Sequence, residues 1–270
     1  MPRSPCDTPV ATAHPLVVRG QATLSLPRQG VDELRDQPPR GVALPPRFLR
    51  HADEQTVVGV HAVALALAGA SGGDDDRRQA WAVVAAPRRA GRPAAARTLA
   101  GWHAGGHAAV SPHVVPQCSL HAMASAVSVA LGCHGTHLGV GGGPEAVAEA
   151  LLAIPWLASA HPTVILVATG WDREPEIDGD GAGGADMVVR AIAVLVAPSA
   201  AACGPTLSLA LDRQPPAREP RSAAELDRFA RLVAAVPERA GRVATVASFA
   251  TRRGGSLRVT VGPVGRQEAA

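Results

Sequence analysis

The sequence predicts an α/β fold: a three-layer α/β/α sandwich on a mixed, mostly parallel five-stranded sheet. Three observations carry that expectation. Strand-like and helix-like segments alternate through residue 170, as βαβ units with right-handed crossovers do. Residues 163–169, TVILVAT, are β-branched and apolar on both faces, the composition of a central strand covered on each side. Apolar residues make up 47% of a 270-residue chain, ample for a large buried core.

Taken in order, residues 16–26 (LVVRGQATLSL) are aliphatic and β-branched and stop at Pro27, which suits a first strand. Residues 27–46 are rich in Pro, Gly and Arg and read as a loop. Residues 47–70 contain few breakers and an apolar second half, the mark of a buried helix. The run 71–79, SGGDDDRRQ, reads as a solvated loop, and AWAVVAA at 80–86 as a short buried strand stopped by Pro87. A helix over 95–103 should end at the glycines of HAGGH. HAMASAVSVAL at 121–131 is a helix of small residues that must pack closely, and 136–140 is a short strand. Residues 145–158 form a helix that Pro155 kinks or ends. MVVRAIAVLVA (187–197) and TLSLAL (206–211) supply two more strands. The tail holds a helix opened by a capping box, Ser222 to Glu225, with Leu226, Phe229, Leu232, Val233 and Val236 on one face. Two strands, 243–250 and 256–261, follow around a turn at RRGG. The expected organisation is a flexible N-terminus (1–14), a main domain (15–212) and a C-terminal extension of helix and β-hairpin (213–270).

Composition narrows the function classes. No stretch reaches about 18 uninterrupted apolar residues, and the start, MPRSPCDTPV, has no apolar run after its charge. Neither a membrane span nor a secretory signal is expected, and the expected location is the cytoplasm. Cys6, Cys118, Cys133 and Cys203 lack CxxC spacing, which argues against a zinc ribbon or a disulfide framework. The net charge is only +3, the arginines are dispersed and aromatics are 3%, so there is no stacking platform for nucleic acid. All 26 basic residues are arginine and there is no tyrosine, so no mechanism that needs lysine or tyrosine can operate within the chain.

The stretch THLGVGGGPEAV, 136–147, is the most suggestive local motif. A Walker loop requires a lysine, and none exists. Gly139, Gly141 and Gly142 do not give the GxGxxG spacing of a dinucleotide loop, which leaves an anion at the helix start as the remaining phosphate reading. His103 and His107 have the i,i+4 spacing of a metal pair, but Gly105 and Gly106 between them weaken the helix that would aim both rings one way. Setting Glu176, Asp178 and Asp180 into a calcium loop places glycine correctly at 181 but Met187 where the bidentate glutamate belongs. No metal and no cofactor is expected.

An ordered series is more informative. Ser111-Pro112, CSLHAMASAVSVALG, HGTHLGV, the glycine turn, a helix, TVILVATGWD and MVVRAIAVLVAP together resemble the N-terminal half of a β-ketoacyl synthase, in the thiolase-like superfamily. The resemblance covers roughly 15–210 and runs without a gap over 111–172. It implies a thiolase-like half-fold and a nucleophilic cysteine nine residues after the glycine of the family's Gly-Pro pair. Counting from Gly135 reaches Pro144, so the family's Thr-Ala-Cys reads Gly142-Gly143-Pro144. His121 stands where the family has a helix asparagine, and Gly135-Thr136 replaces Gly-Pro. The family's two catalytic histidines have no match after residue 205, where the chain has no histidine. Condensation needs a thiolate to carry the acyl chain and imidazoles to stabilise the enolate. The resemblance therefore implies a non-catalytic partner of an active ketosynthase, similar to a chain length factor, in fatty-acid, polyketide or aryl-polyene-type biosynthesis. A lone half should expose an apolar face and dimerise with a ketosynthase or with itself; acyl carrier protein is a further expected partner. The alternative is an acyltransferase or condensing enzyme with a displaced nucleophile, Cys118 or Cys133, served by His121 or His134. Pro144 and Glu145 are expected in the first turn of the following helix, where a missing N–H and an acidic side chain both suit the backbone.

Overall fold

The structure is a computed structural model that describes residues 15–42, 44–70, 75–173, 187–199, 204–212, 224–238 and 244–262. Cys6, Cys203, the calcium-loop residues 176–181 and Ser222 lie outside the described residues.

The first strand, β1 (Leu16–Pro27), leads into α1 (Arg28–Arg35) and α2 (Glu54–Ala68). Then follow β2 (Ala82–Pro87), α3 (Arg92–Gly105), α4 (Val114–Gln117), α5 (Ala122–Leu131), β3 (His137–Gly139), α6 (Ala146–Ala160) and β4 (Val164–Trp171). β5 (Val188–Pro198), β6 (Thr206–Asp212), α7 (Ala224–Glu238), β7 (Thr245–Ala250) and β8 (Ser256–Gly262) complete the order.

Among the described residues the strands form one sheet of eight, ordered β3-β2-β4-β5-β1-β6-β8-β7. Only the β3–β2 and β2–β4 pairs are parallel; the other neighbours pair antiparallel. This corrects the expected mostly parallel sheet of five strands. β5 pairs antiparallel with both β4 and β1 and lies between them. The tail hairpin joins the same sheet through β6.

Helices cover both faces, giving the three layers. Along β2, Val83 and Ala85 pack with α2 and α5, whereas Ala82, Val84 and Ala86 pack with α6 and α7. Along β4, Ile165 and Val167 take the first face and Val164, Leu166 and Ala168 the second, which is why TVILVAT shows no polar alternation. Gly20 of β1 is fixed by that packing: a Cβ there would lie 2.4 Å from the carbonyl oxygen of Ala66 in α2.

Two helix boundaries differ from expectation. The segment read as a loop contains α1, whose Val31 is fully buried and whose Arg35 pairs with Asp32 at 3.1 Å; Pro27 and Gly30 hid its short period. The helix expected from residue 47 starts at Glu54, because Asp53 caps it and accepts from the amides of Gln55 and Thr56. Pro155 lies inside α6, which continues past it to Ala160. Among the described residues, no helix is long and apolar enough to cross a membrane.

Candidate functional site

The parallel strands β3, β2 and β4 end at one edge of the sheet, where open α/β sheets hold their ligands. The glycine turn between β3 and α6 sits there. Gly141 and Gly142 have φ of +84° and +89°, backbone that side chains with a Cβ rarely adopt. Gly139 is constrained by contact instead: a Cβ would stand 2.1 Å from the carbonyl oxygen of Leu120. The turn is tied to the loop after β2 by the Arg89 amide, which donates to the Gly142 carbonyl at 2.9 Å. That loop is held in turn by Gln55, whose Nε2 donates to the Arg88 carbonyl at 2.9 Å and whose Oε1 accepts from the Thr169 hydroxyl at 2.8 Å. A buried network thus links β4, α2 and the glycine turn.

Pro144 is exposed on this turn and offers no reactive atom. It lies just outside α6 and not in its first turn, since Glu145 is the N-cap and Ala146 the first helical residue. The two positive-φ glycines turn the chain once more before the helix begins. The Glu145 side chain makes no cap bond. A different carboxyl reaches the helix: Oε1 of Glu225, from α7, accepts from the Ala148 amide at 3.4 Å. Burial pushes the Glu225 carboxyl up to about 8; Glu145 adds to the rise, whereas the Ala148 bond, Arg88 and Arg228 oppose it. An amide that an anion at this helix start would use is therefore already engaged.

The two described cysteines are separated. Cys118 ends α4 and packs on Gly91, where an added Cβ would lie 2.4 Å from its own Cβ. Burial raises its thiol above the ordinary value, Asp53 adds to the rise and Arg97 opposes it. Cys133 follows α5 at the opposite end of β3 from the glycine turn, and its carbonyl accepts from the Ser128 hydroxyl at 2.8 Å. Burial pushes its thiol up to about 11, against the opposing charge of Arg78. Since the thiolate is the nucleophile, both environments disfavour reaction.

Nor do the candidate histidines activate them. His121 stacks on His137 with ring centroids 4.8 Å apart, and burial followed by the charge of His137 lowers its basicity. His134 is exposed at the far end of β3, held by its backbone amide to the Gln79 carbonyl at 2.8 Å. No hydrogen bond joins either thiol to a histidine among the described residues. His103 lies in α3 and His107 in the 3-10 turn after it, separated by Gly106 at φ +67°.

An open cleft of about 330 Å³ lies between the start of α2, α3 and the segment 109–118. Cys118, Asp53 and Arg97 line it. Asp53 is fully engaged: besides its two amide bonds it accepts from the Thr56 hydroxyl at 2.8 Å. Burial pushes its carboxyl up to about 6 even so.

Solved structures share this architecture. One chain of a ketosynthase in complex with its chain length factor from Xenorhabdus doucetiae has a TM-score of 0.57 at 15% identity, covering 91% of this chain and 98% of that one. A chain of the ishigamide ketosynthase/chain length factor gives 0.61 at 14% identity, over 93% and 100%. A type II PKS structure, an acyl-carrier protein in complex with its ketosynthase bound to the hexaketide, gives 0.59 at 13% identity, over 93% and 100%. The fold is a ketosynthase fold. No protein-family model matches the sequence, and no curated protein does.

Within this ketosynthase fold, sequence reasoning missed Gln55, Thr169 and Asp53, and it read Glu225 as half of a capping box with no hint of its contact with Ala148. A signal existed for Asp53, whose position ahead of a helix-forming run in HADEQT is an N-cap pattern. For the others there was none, because their partners are distant in sequence: Gln55 and Thr169 are 114 residues apart, Glu225 and Ala148 77.

Proposed function

We propose that the chain is a non-catalytic ketosynthase-like subunit, pairing with an active ketosynthase as a chain length factor does, in fatty-acid, polyketide or aryl-polyene-type biosynthesis in the cytoplasm. Pro144 carries this reading. It occupies the turn ahead of α6 at the position where the resemblance sets the nucleophilic cysteine, and a proline ring can neither accept an acyl chain nor be activated to do so. The raised thiols of Cys118 and Cys133 support the same reading. Two of the similar structures pair a ketosynthase with a chain length factor and a third includes an acyl-carrier protein, which supports those two classes of partner.

Light scattering of the chain, alone and with a ketosynthase encoded beside it, tests the pairing. A homodimer or heterodimer is expected, and a strictly monomeric species in both samples overturns it. Intact mass after incubation with acyl-CoA or acyl carrier protein tests the missing chemistry. No acyl adduct is expected; an adduct lost in Cys118→Ala or Cys133→Ala establishes acyl transfer instead.

A further inference from the structure

The cleft between α2, α3 and the segment 109–118 has a composition that an acyl-chain tunnel would not have. Three arginines line it, Arg35 from the end of α1, Arg50 from the turn before α2, and Arg97 from α3. Their charges are unequally neutralised. Arg35 pairs with Asp32 and donates to the carbonyls of Leu49 and Ala52. Arg97 gives one nitrogen to Glu54 at 3.1 Å, while its buried Nη1 has no hydrogen-bond partner. Arg50 is exposed and has no carboxylate partner among the described residues. Asp53 is the one carboxylate in the lining, and its hydrogen bonds turn it to the start of its own helix rather than to Arg50.

Two imidazoles complete the lining. His51 and His113 stack with centroids 5.7 Å apart and planes 7° from parallel, and neither ring makes a hydrogen bond to a described residue. The cleft thus joins an uncommitted guanidinium, a partly committed one and two imidazoles with open nitrogens. Its 330 Å³ lies at the small end of ligand sites. Guanidinium groups match phosphate oxygens in charge and in planar geometry.

We propose that this cleft binds the phosphate group of a small phosphorylated molecule, with Arg50 and Arg97 as its principal contacts. The site does not depend on the partner reading.

Cys118 provides the readout, because its thiol lines the same cleft. The full chain is alkylated with iodoacetamide and the modification read peptide by peptide, with inorganic phosphate and pyrophosphate as probes. Saturable, several-fold slowing at Cys118 is expected, with Cys133 unchanged and no equal effect from sodium chloride of matched ionic strength. Arg50→Gln should abolish the slowing; because Arg50 is exposed, this variant is expected to keep the wild-type Tm. Arg97→Gln should weaken it as well. Glycerol 3-phosphate and phosphatidic acid vesicles separate a soluble ester from a lipid headgroup, and protection by either supports the site. Equal protection by chloride, or undiminished protection in Arg50→Gln, overturns the proposal.

Discussion

Gly139, at the end of β3, and Pro144, in the turn that follows, should respond oppositely to substitution. A methyl group on Gly139 would stand 2.1 Å from the Leu120 carbonyl oxygen, a backbone atom that cannot step aside as a side chain would. Gly139→Ala is expected to cost about 1–3 kcal/mol or more, read as a lower urea midpoint at unchanged slope. Pro144 is exposed, and Pro144→Ala should cost under about 1 kcal/mol, mainly by loosening the unfolded chain. Pro144→Cys puts an exposed thiol ahead of the α6 N-terminus and should be alkylated faster than Cys118 or Cys133, whose thiols burial raises. That a proline stands at this turn was legible because a motif is counted along the chain. The lining of the phosphate cleft was not, since Arg35, Arg50, Arg97 and His113 meet only through the packing of α1, α3 and the segment after it. Dispersed arginines in sequence argued against nucleic acid; gathered in space, three of them line one cleft.

At the scale of elements, α7 is docked over the start of α6 by apolar burial and by one titratable contact. Leu226, Phe229, Leu232, Val233 and Val236 are buried against the sheet, the face that the 3.6-residue period predicted. Glu225 stands beside them on the Ala148 amide. Its ordinary value of 4.5 is raised to about 8, so the folded state holds a proton that the unfolded chain releases between those limits. The stability Glu225 contributes is therefore full below about 4.5 and is lost as pH rises through about 8. The facing charges are Glu145, Arg88 and Arg228, and they leave burial as the largest cause. Glu225→Gln, a neutral side chain of like shape, should match the wild type at low pH. Its Tm should exceed the wild type's by at least a few degrees at pH 8 and above, about what 1 kcal/mol gives in a chain of this size. A Tm gap that does not change with pH would show that Glu225 carries no proton in the fold. Other element-level expectations failed as well: α1 is short, follows Pro27 and contains Gly30, and β5 pairs antiparallel with both β4 and β1 where a parallel strand was expected.

The three layers were legible in the whole sequence because strand and helix periods report burial on one or both faces. The extent of the sheet was not, because strand pairing is non-local: β1 meets β6 at only two residue pairs, and through that narrow joint the tail hairpin becomes part of the sheet. The finished molecule leaves large apolar side chains in solvent, including Leu99 at 58%, Trp102 at 51%, Val115 at 75% and Trp156 at 64% exposure. Their distribution makes association measurable by fluorescence. Of the four tryptophans, Trp81 and Trp171 are buried, so only the indoles of α3 and α6 can pass from water into an interface. Adding the proposed ketosynthase partner should shift the emission to shorter wavelength. Trp102→Phe should remove the shift if the α3 side docks, and Trp156→Phe should remove it if the outer face of α6 docks. Each Phe variant keeps most of the apolar area, so binding should survive while the signal is lost. Trp102→Arg or Trp156→Arg on the identified face should then weaken the complex, because a charge would replace the buried ring. Emission unchanged at saturating partner concentration would mean that neither indole is covered. A monomeric scattering mass in the same sample would then remove the subunit reading, leaving the fold and the phosphate cleft to stand by themselves.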